Sequence, residues 1–460
     1  FRDRRNGRNS SGVIRSALPE ALRARSGSAC LKSLNFQNDH IMGRNIKYIG
    51  AFILVSLLFL LWGVANNMND TLLAAFKRIM SMSDLQTSFV QFAFFGAYFC
   101  IALPAALFIR RFTYKAGIIL GLVLYAAGTM LFYPAGQSAS YPFFLFAIYV
   151  MASGCAVLET TANPLILSMG PQESATRRLN IAQTFNPVGA ICGILLSRHF
   201  ILSELNAAGA AERAGMDAGA LRQIQAHELD AVSGTYMLLG CILVVLLFVI
   251  AFTKMPGGRD DSGAWSFRET AGRMWSRRRY RYGVLAQFFY VGVQTGVWSF
   301  TIRYVMACSG ADESRASLVF LASIVAFTLF RFFFTWLMKY VRPSRLLASA
   351  AVAGVVCVLV TMTCAGPVGI VALVAISACM SLMFPTIYGI ALEGIGQEDA
   401  KIAASGLIMA ILGGALITPL QALVSDCAGA AVSFVVPLVC FAVILVYSSG
   451  INHADSIKTK

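Results

Sequence analysis

Residues 49–76, "IGAFILVSLLFLLWGVANNMNDTLLAAF", set the terms on which the rest of the chain is read. From Ile49 to Ala65 there is no charge on any side of the helix that such a run forms, a pattern that belongs in lipid rather than at the edge of a soluble core. About 20 such residues, rising 1.5 Å each, cross the roughly 30 Å hydrocarbon core of a bilayer. Asn66, Asn67 and Asp70 then fall three and four apart, on one helical face, where they must meet protein or water.

Working outward, runs of similar length recur. The expected helices lie near 50–78, 85–109, 116–134, 141–169, 175–203 and 231–253, then near 282–306, 314–338, 344–364, 367–393, 401–425 and 430–449. Over 460 residues, 57% are hydrophobic and 13% charged, with a mean hydropathy of +0.69. These values exclude a cytosolic enzyme, a disordered chain and a disulfide-stapled secreted domain. The reading is an all-α membrane protein with twelve transmembrane helices.

The net charge of +15 is explained by topology and calls for no nucleic acid. Lys and Arg concentrate in loops after even-numbered helices, at Arg110, Arg111 and Lys115, between Lys254 and Arg281, and at Lys339, Arg342 and Arg345. The long loop expected at 204–230 is instead acidic. Both termini are therefore expected in the cytoplasm. Residues 1–48 read as a basic, disordered, partly non-native segment. Eight Lys or Arg occur in residues 1–41, and translation is expected to start at Met42.

A weak repeat divides the chain. "RRFTYKAGIILGLVLYAAG" (110–128) is answered by "KYVRPSRLLASAAVAG" (339–354), and "MGPQESA" (169–175) by "IGQEDA" (395–400), about 226 residues apart. The expected halves are 49–253 and 282–450, joined by a cytoplasmic linker at 254–281 and followed by a tail at 451–460. Two parallel six-helix repeats are the arrangement of the major facilitator fold, with the substrate site between them at mid-membrane.

A charged side chain near the bilayer centre costs roughly 2.5–3.5 kcal/mol, so interior acids need a reason. Two stand out: Asp70, and Glu159 in "GCAVLETTANPLI" (154–166), with Asn163 one turn on. Burial disfavours the anion, so a carboxyl placed there is able to take up and release a proton near neutral pH. The alternative makes one of them structural or solvated at the outer interface. No Lys or Arg is expected in nearby helix interiors, and Arg303 and Arg331 are expected to reach toward headgroups.

Uncharged groups complete the set. Gln183 and Asn186 are three apart; Gln287, Tyr290, Gln294 and Trp298 form a stripe with spacings of three, four and four. Amides that donate and accept, beside an aromatic face, suit the hydroxyls and C–H face of a sugar. Singly, each also reads as glue between helices. The eleven cysteines sit mostly alone in apolar runs, the four histidines have no ligand spacing, and there is no phosphate loop. No metal, no cofactor and no enzymatic activity are expected.

The stretches "FLLWGVANNMNDTLL", "LETTANP", "RLNIAQTFNPVGAI", "VLAQFFYVGVQT" and "ITPLQALVSDCAG" carry a resemblance from about Ile46 to Gly450. The chain resembles the fucose:proton symporter family of the major facilitator superfamily. That resemblance implies a proton symporter for a six-carbon sugar. It makes Asp70 the proton-coupling acid and Glu159 the acid linking protonation to sugar recognition. Asn67, Gln183 and Asn186 become sugar contacts, with Gln287, Gln294 and Trp298 on the corresponding helix of the second half. Asn66 and Asn163 join the substrate set from the residue reading above.

The chain departs from the family pattern at Phe384, where a tyrosine is expected, and in "SLVFLASIVAFTLFRFF" (317–333), where an asparagine is expected. The expected function is symport of L-fucose or a related hexose into a bacterial cell across the inner membrane, by alternating access, as a monomer. Alternatives are a glucose/galactose transporter of the same family and an uncoupled sugar facilitator. A membrane sensor would need a signalling domain, and an organic-anion carrier an unpaired cation in mid-membrane.

Overall fold

Lipid offers no partner to a backbone amide, so an apolar span must satisfy its own hydrogen bonds. The computed structural model is accordingly helical, without a strand among the described residues. Those are residues 49–458 except 70, 73, 74, 77, 78, 81, 83, 207, 209–211, 214, 256–265 and 365. Asp70 and the basic segment 1–48 lie outside them.

Twelve membrane helices follow in two sets of six. The first set is α1 (Ile49–Asn69), α2 (Asp84–Arg111), α3 (Tyr114–Met130, continued by Phe132–Ser138), α4 (Tyr141–Ser168), α5 (Ala175–Gln183, then Phe185–Phe200) and α6 (Ala218–Phe252). The second is α7 (Arg278–Ser309), α8 (Glu313–Leu337), α9 (Pro343–Thr363), α10 (Pro367–Met380, then Met383–Ala391), α11 (Gln397–Met409, then Gly413–Ala428) and α12 (Val435–Lys458). Eleven are both long and apolar enough to cross a membrane. The other, α7, has 32 residues, but Arg278, Arg279 and Arg281 at its start and two glutamines within it lower its hydropathy.

Helix limits differ from the hydropathy reading where polar turns extend an apolar run. α6 begins at Ala218, not near 231, because Asp217 caps it by accepting from the Gly219 amide at 2.9 Å. Its added turns carry Glu228, which is buried against Arg213 with Nη1 to Oε2 at 2.8 Å. Arg213 Nε also donates to the Ala208 carbonyl at 3.1 Å, and Glu228 accepts from the Asn206 amide at 2.8 Å. Within the stretch read as linker, Phe267–Ser276 is a helix, and its Arg273 reaches Asp399 at 3.0 Å.

Glycines set the closest crossings. A Cβ on Gly189 of α5 would stand 1.9 Å from the Leu60 carbonyl oxygen of α1, and one on Gly63 would stand 2.1 Å from that of Asn186. The second half repeats the device: a Cβ on Gly413 of α11 would lie 2.0 Å from the Phe288 carbonyl oxygen of α7. Without water to drive association, helices in lipid gain from such backbone approach. The end of the apolar part of α1 is further held by Trp62, which donates to the Tyr98 hydroxyl, and by Tyr125, which donates to the Leu61 carbonyl at 2.9 Å.

The turns between α2 and α3, α4 and α5, α8 and α9, and α10 and α11 share one end of the bundle with the linker, and this end carries most of the loop arginines and lysines. At this basic end the two halves are in contact. Arg110 of α2 donates to the Glu398 carbonyl at 3.2 Å, and Lys401 of α11 stands 5.0 Å from the Tyr114 ring centroid. Deeper in, Asn180 of α5 donates to the Thr386 hydroxyl of α10 at 3.3 Å.

Candidate functional site

Helices α4, α5, α7 and α10 present unpartnered polar atoms to the bundle interior. Glu159 of α4 is 3% exposed, and neither carboxyl oxygen has a hydrogen-bond partner among the described residues. Asn163, one turn on, is within electrostatic reach of the carboxyl but outside hydrogen-bonding geometry. The phenols of Tyr98 in α2 and Tyr388 in α10 lie within range of the Glu159 charge as well. The acid thus sits among a same-half tyrosine, an amide of its own helix and a tyrosine from the opposite half.

Asn163 and Gln183 are brought together. The Gln183 Nε2 donates to the Asn163 Oδ1 at 2.8 Å, and both residues are buried. The Asn163 Nδ2 has no partner among the described residues, a donor available to a ligand. Asn186 is half-buried, and its Nδ2 donates to the Phe59 carbonyl at 3.4 Å, across the α1–α5 crossing. Asn67 is half-buried and bonds back to the Gly63 carbonyl at 3.1 Å; Asn66 is half-buried beside it.

In the second half Gln287 is fully buried, with both amide atoms unpartnered among the described residues, and Gln294 is half-buried. The Trp298 Nε1 donates to the Ser377 hydroxyl of α10 at 3.2 Å, and its ring meets Phe327 edge-on at 5.1 Å. Phe384 lies between two unpartnered phenols, edge-on to Tyr290 at 6.0 Å and stacked on Tyr388 at 6.4 Å. A ring there offers an apolar surface where a tyrosine would add a hydroxyl.

One expectation fails. Arg331 does not reach toward headgroups: it is 3% exposed, with its guanidinium 4.8 Å from the Phe327 ring centroid and hydrogen-bonded to carbonyls of two other helices. Nor are the helix interiors free of cations, since Lys401 is also buried. Hydropathy treats an arginine near a helix end as interfacial and has no means of seeing acceptors on other helices. Arg303 is exposed and lies over Phe300.

Several functional candidates were missed by the residue reading. Tyr98 carries no polar signal in its apolar run, Tyr388 reads only as a hydroxyl one turn after Phe384, and Gln421 is fully buried on α11 with both amide atoms unpartnered among the described residues. An amide in an otherwise apolar helix was the available signal for Gln421. A cavity of about 530 Å³ lies near the basic end, lined by Gln172 and Thr176 of one half and Ser344 and Gln397 of the other. Neither Glu159 nor Gln183 lines it.

Two six-helix sets with broken helices, a buried carboxyl and buried amides in both halves are the architecture of a membrane transporter. The chain belongs to the Major Facilitator Superfamily, whose family model matches residues 49–419, and within it to the family of the L-fucose–proton symporters. It is 40% identical over 415 residues to the L-fucose-proton symporter of Haemophilus influenzae, covering 87% of this chain and 96% of that one. It is 32% identical to a glucose/galactose transporter of Brucella abortus, over 87% of this chain and 94% of the relative. Among solved structures it is similar to the superfamily transporter FucP in the outward conformation. The TM-score is 0.82 at 36% identity, over 88% of this chain and 99% of that one.

Proposed function

We propose that the protein is a proton-coupled symporter that carries L-fucose, or a hexose of similar shape, into the cell across a bacterial inner membrane. The basic end and both termini face the cytoplasm, and one chain is the working unit. The halves are 49–253 and 282–450. The observation that carries the reading is Glu159, a buried carboxyl without a donor among the described residues, one turn from the Asn163–Gln183 amide pair. An isolated buried anion bears a desolvation penalty that water relieves, so the acid's charge is tied to which end of the bundle admits water.

The mechanism follows from that placement. With the basic end closed, proton and sugar enter from the opposite side. Protonation of Glu159 removes the penalty of a buried anion and leaves the neighbouring amides free to bind sugar. Asn163, Gln183 and Asn186 exchange hydrogen bonds with sugar hydroxyls, while Gln287, Gln294 and Trp298 meet the sugar from α7. Asn66 and Asn67 extend the lining along α1, and Asp70 serves as the second proton carrier on sequence grounds. Sugar shifts the population toward the state with the basic end open only by its differential affinity for that state. One proton crossing 100 mV releases roughly 2.3 kcal/mol, enough for about fifty-fold accumulation.

The test is uptake of labelled L-fucose into proteoliposomes with and without an inward proton gradient, for the native chain, Asp70→Asn and Glu159→Gln. Accumulation above equilibrium is expected in the native chain. Both variants should lose it, and Asp70→Asn should still exchange sugar across the membrane. Uptake indifferent to the gradient makes the protein a facilitator. Uptake of D-galactose or D-glucose without L-fucose moves the substrate to that of the 32% identical relative.

A further inference from the structure

Prolines break two helices of the site, and each break strands one carbonyl. In an α-helix the carbonyl of residue i accepts from the amide of residue i+4, and proline has no amide proton. Pro187 therefore leaves the Gln183 carbonyl of α5 without its helical donor, at the interruption between Gln183 and Phe185. Pro385 does the same to the Ser381 carbonyl of α10, at the interruption between Met380 and Met383. Buried carbonyls in that position need a donor from elsewhere.

One side chain serves both. Arg331 of α8 donates from Nη1 to the Gln183 carbonyl at 3.0 Å and from Nε to the Ser381 carbonyl at 2.6 Å. The planar guanidinium suits this task because its donors diverge at fixed angles. The two acceptors belong to different halves. α8 and α10 travel together, so the Ser381 bond is permanent; α5 is in the other half, so the Gln183 bond must break whenever the halves part. Gln183 also gives its side-chain amide to Asn163, so one residue joins the ligand site to this contact.

We propose that Arg331 is a positioning residue that latches the basic end shut: it holds the Gln183 carbonyl freed by Pro187 from across the interface, using the Ser381 carbonyl freed by Pro385 as its anchor. The latch rests on the rocking-half reading above, but it is tested without sugar. Pro187→Ala supplies the missing helical donor and competes for the carbonyl while leaving Arg331 intact.

The experiment places spin labels at Gln172→Cys and Gln397→Cys, exposed residues on the two sides of the cavity near the basic end. Cys30, Cys100, Cys241 and Cys427 are changed to Ser in the same background. Distance distributions are recorded in nanodiscs for the background chain, Arg331→Gln and Pro187→Ala. Loss of a charge-assisted bond is expected to raise the ratio of open to closed basic end about tenfold or more in Arg331→Gln, and by a smaller factor in Pro187→Ala. L-fucose binding to Arg331→Gln, measured separately, should persist within a few-fold, which a disrupted fold would not allow. Unchanged distances in both variants overturn the latch, as does opening in Arg331→Gln with none in Pro187→Ala. Should Arg331→Gln fail to fold, Pro187→Ala decides alone. Absence of sugar binding by the native chain sinks the transport reading and leaves the distance result to judge the latch.

Discussion

Substitution of Gly189 by alanine tests the α1–α5 crossing on which the first half of the site rests. The added Cβ would stand 1.9 Å from the Leu60 carbonyl oxygen. An ordinary carbon-to-oxygen contact is about 3.3 Å, so the two backbones would have to part by about 1.4 Å. Overpacking of this kind costs about 1–3 kcal/mol, against a gain of up to about 1 kcal/mol in helix propensity. The same displacement removes the Asn186 bond to the Phe59 carbonyl, already at 3.4 Å, and carries Asn186 away from α1. Gly234 of α6 is the control, because a Cβ there meets nothing within 4 Å. Gly234→Ala should be neutral or stabilising by up to about 1 kcal/mol. The assay is the temperature of half-inactivation of purified protein, followed by L-fucose binding at a temperature where all variants are folded. Gly189→Ala should lose both stability and affinity while Gly234→Ala keeps both. A Gly189→Ala protein as stable and as avid as the native chain would refute the close crossing.

Other substitutions address single features. Gln183→Leu removes the hydrogen bond accepted by the buried Asn163 side chain, at a cost of about 1–3 kcal/mol in stability, and should weaken L-fucose binding at least tenfold; unchanged equilibrium binding would remove Gln183 from the site. Arg213→Met leaves Glu228 buried without its guanidinium and should cost about 3–5 kcal/mol, most of it recovered in the double variant Arg213→Met, Glu228→Leu. Uptake per folded molecule should be the same in all three proteins, and a transport defect in the double variant would contradict a purely structural role. Phe384→Tyr puts a hydroxyl between Tyr290 and Tyr388 and should tighten L-fucose binding in an equilibrium titration. No change would mean that this ring stays clear of the sugar.

Much of the architecture is legible one residue at a time. Lipid tolerates few charges and no unpaired amides, so apolar length alone marks the spans, and the positions of lysine and arginine mark the turns of one end. The cost of burying a carboxyl is likewise local, which is why Glu159 could be singled out before its surroundings were seen. Hydropathy was weakest where a helix continues in polar residues, as in the first turns of α6, because helix geometry and membrane contact are separate properties.

What the linear pattern could not reveal is which polar groups answer one another. Asn163 and Gln183 are twenty residues apart in sequence, yet share a hydrogen bond because α4 and α5 pack side by side. Tyr388 comes within range of Glu159 only because the second half closes on the first. Arg331 is the clearest case: its sequence neighbours are apolar and suggest a side chain reaching for the membrane surface, while its acceptors lie 148 and 50 residues away. The prolines that freed those acceptors were visible in the sequence from the start. Only tertiary packing could decide who satisfies them, because a hydrogen bond is set by distance and direction in space, and helix order along the chain specifies neither.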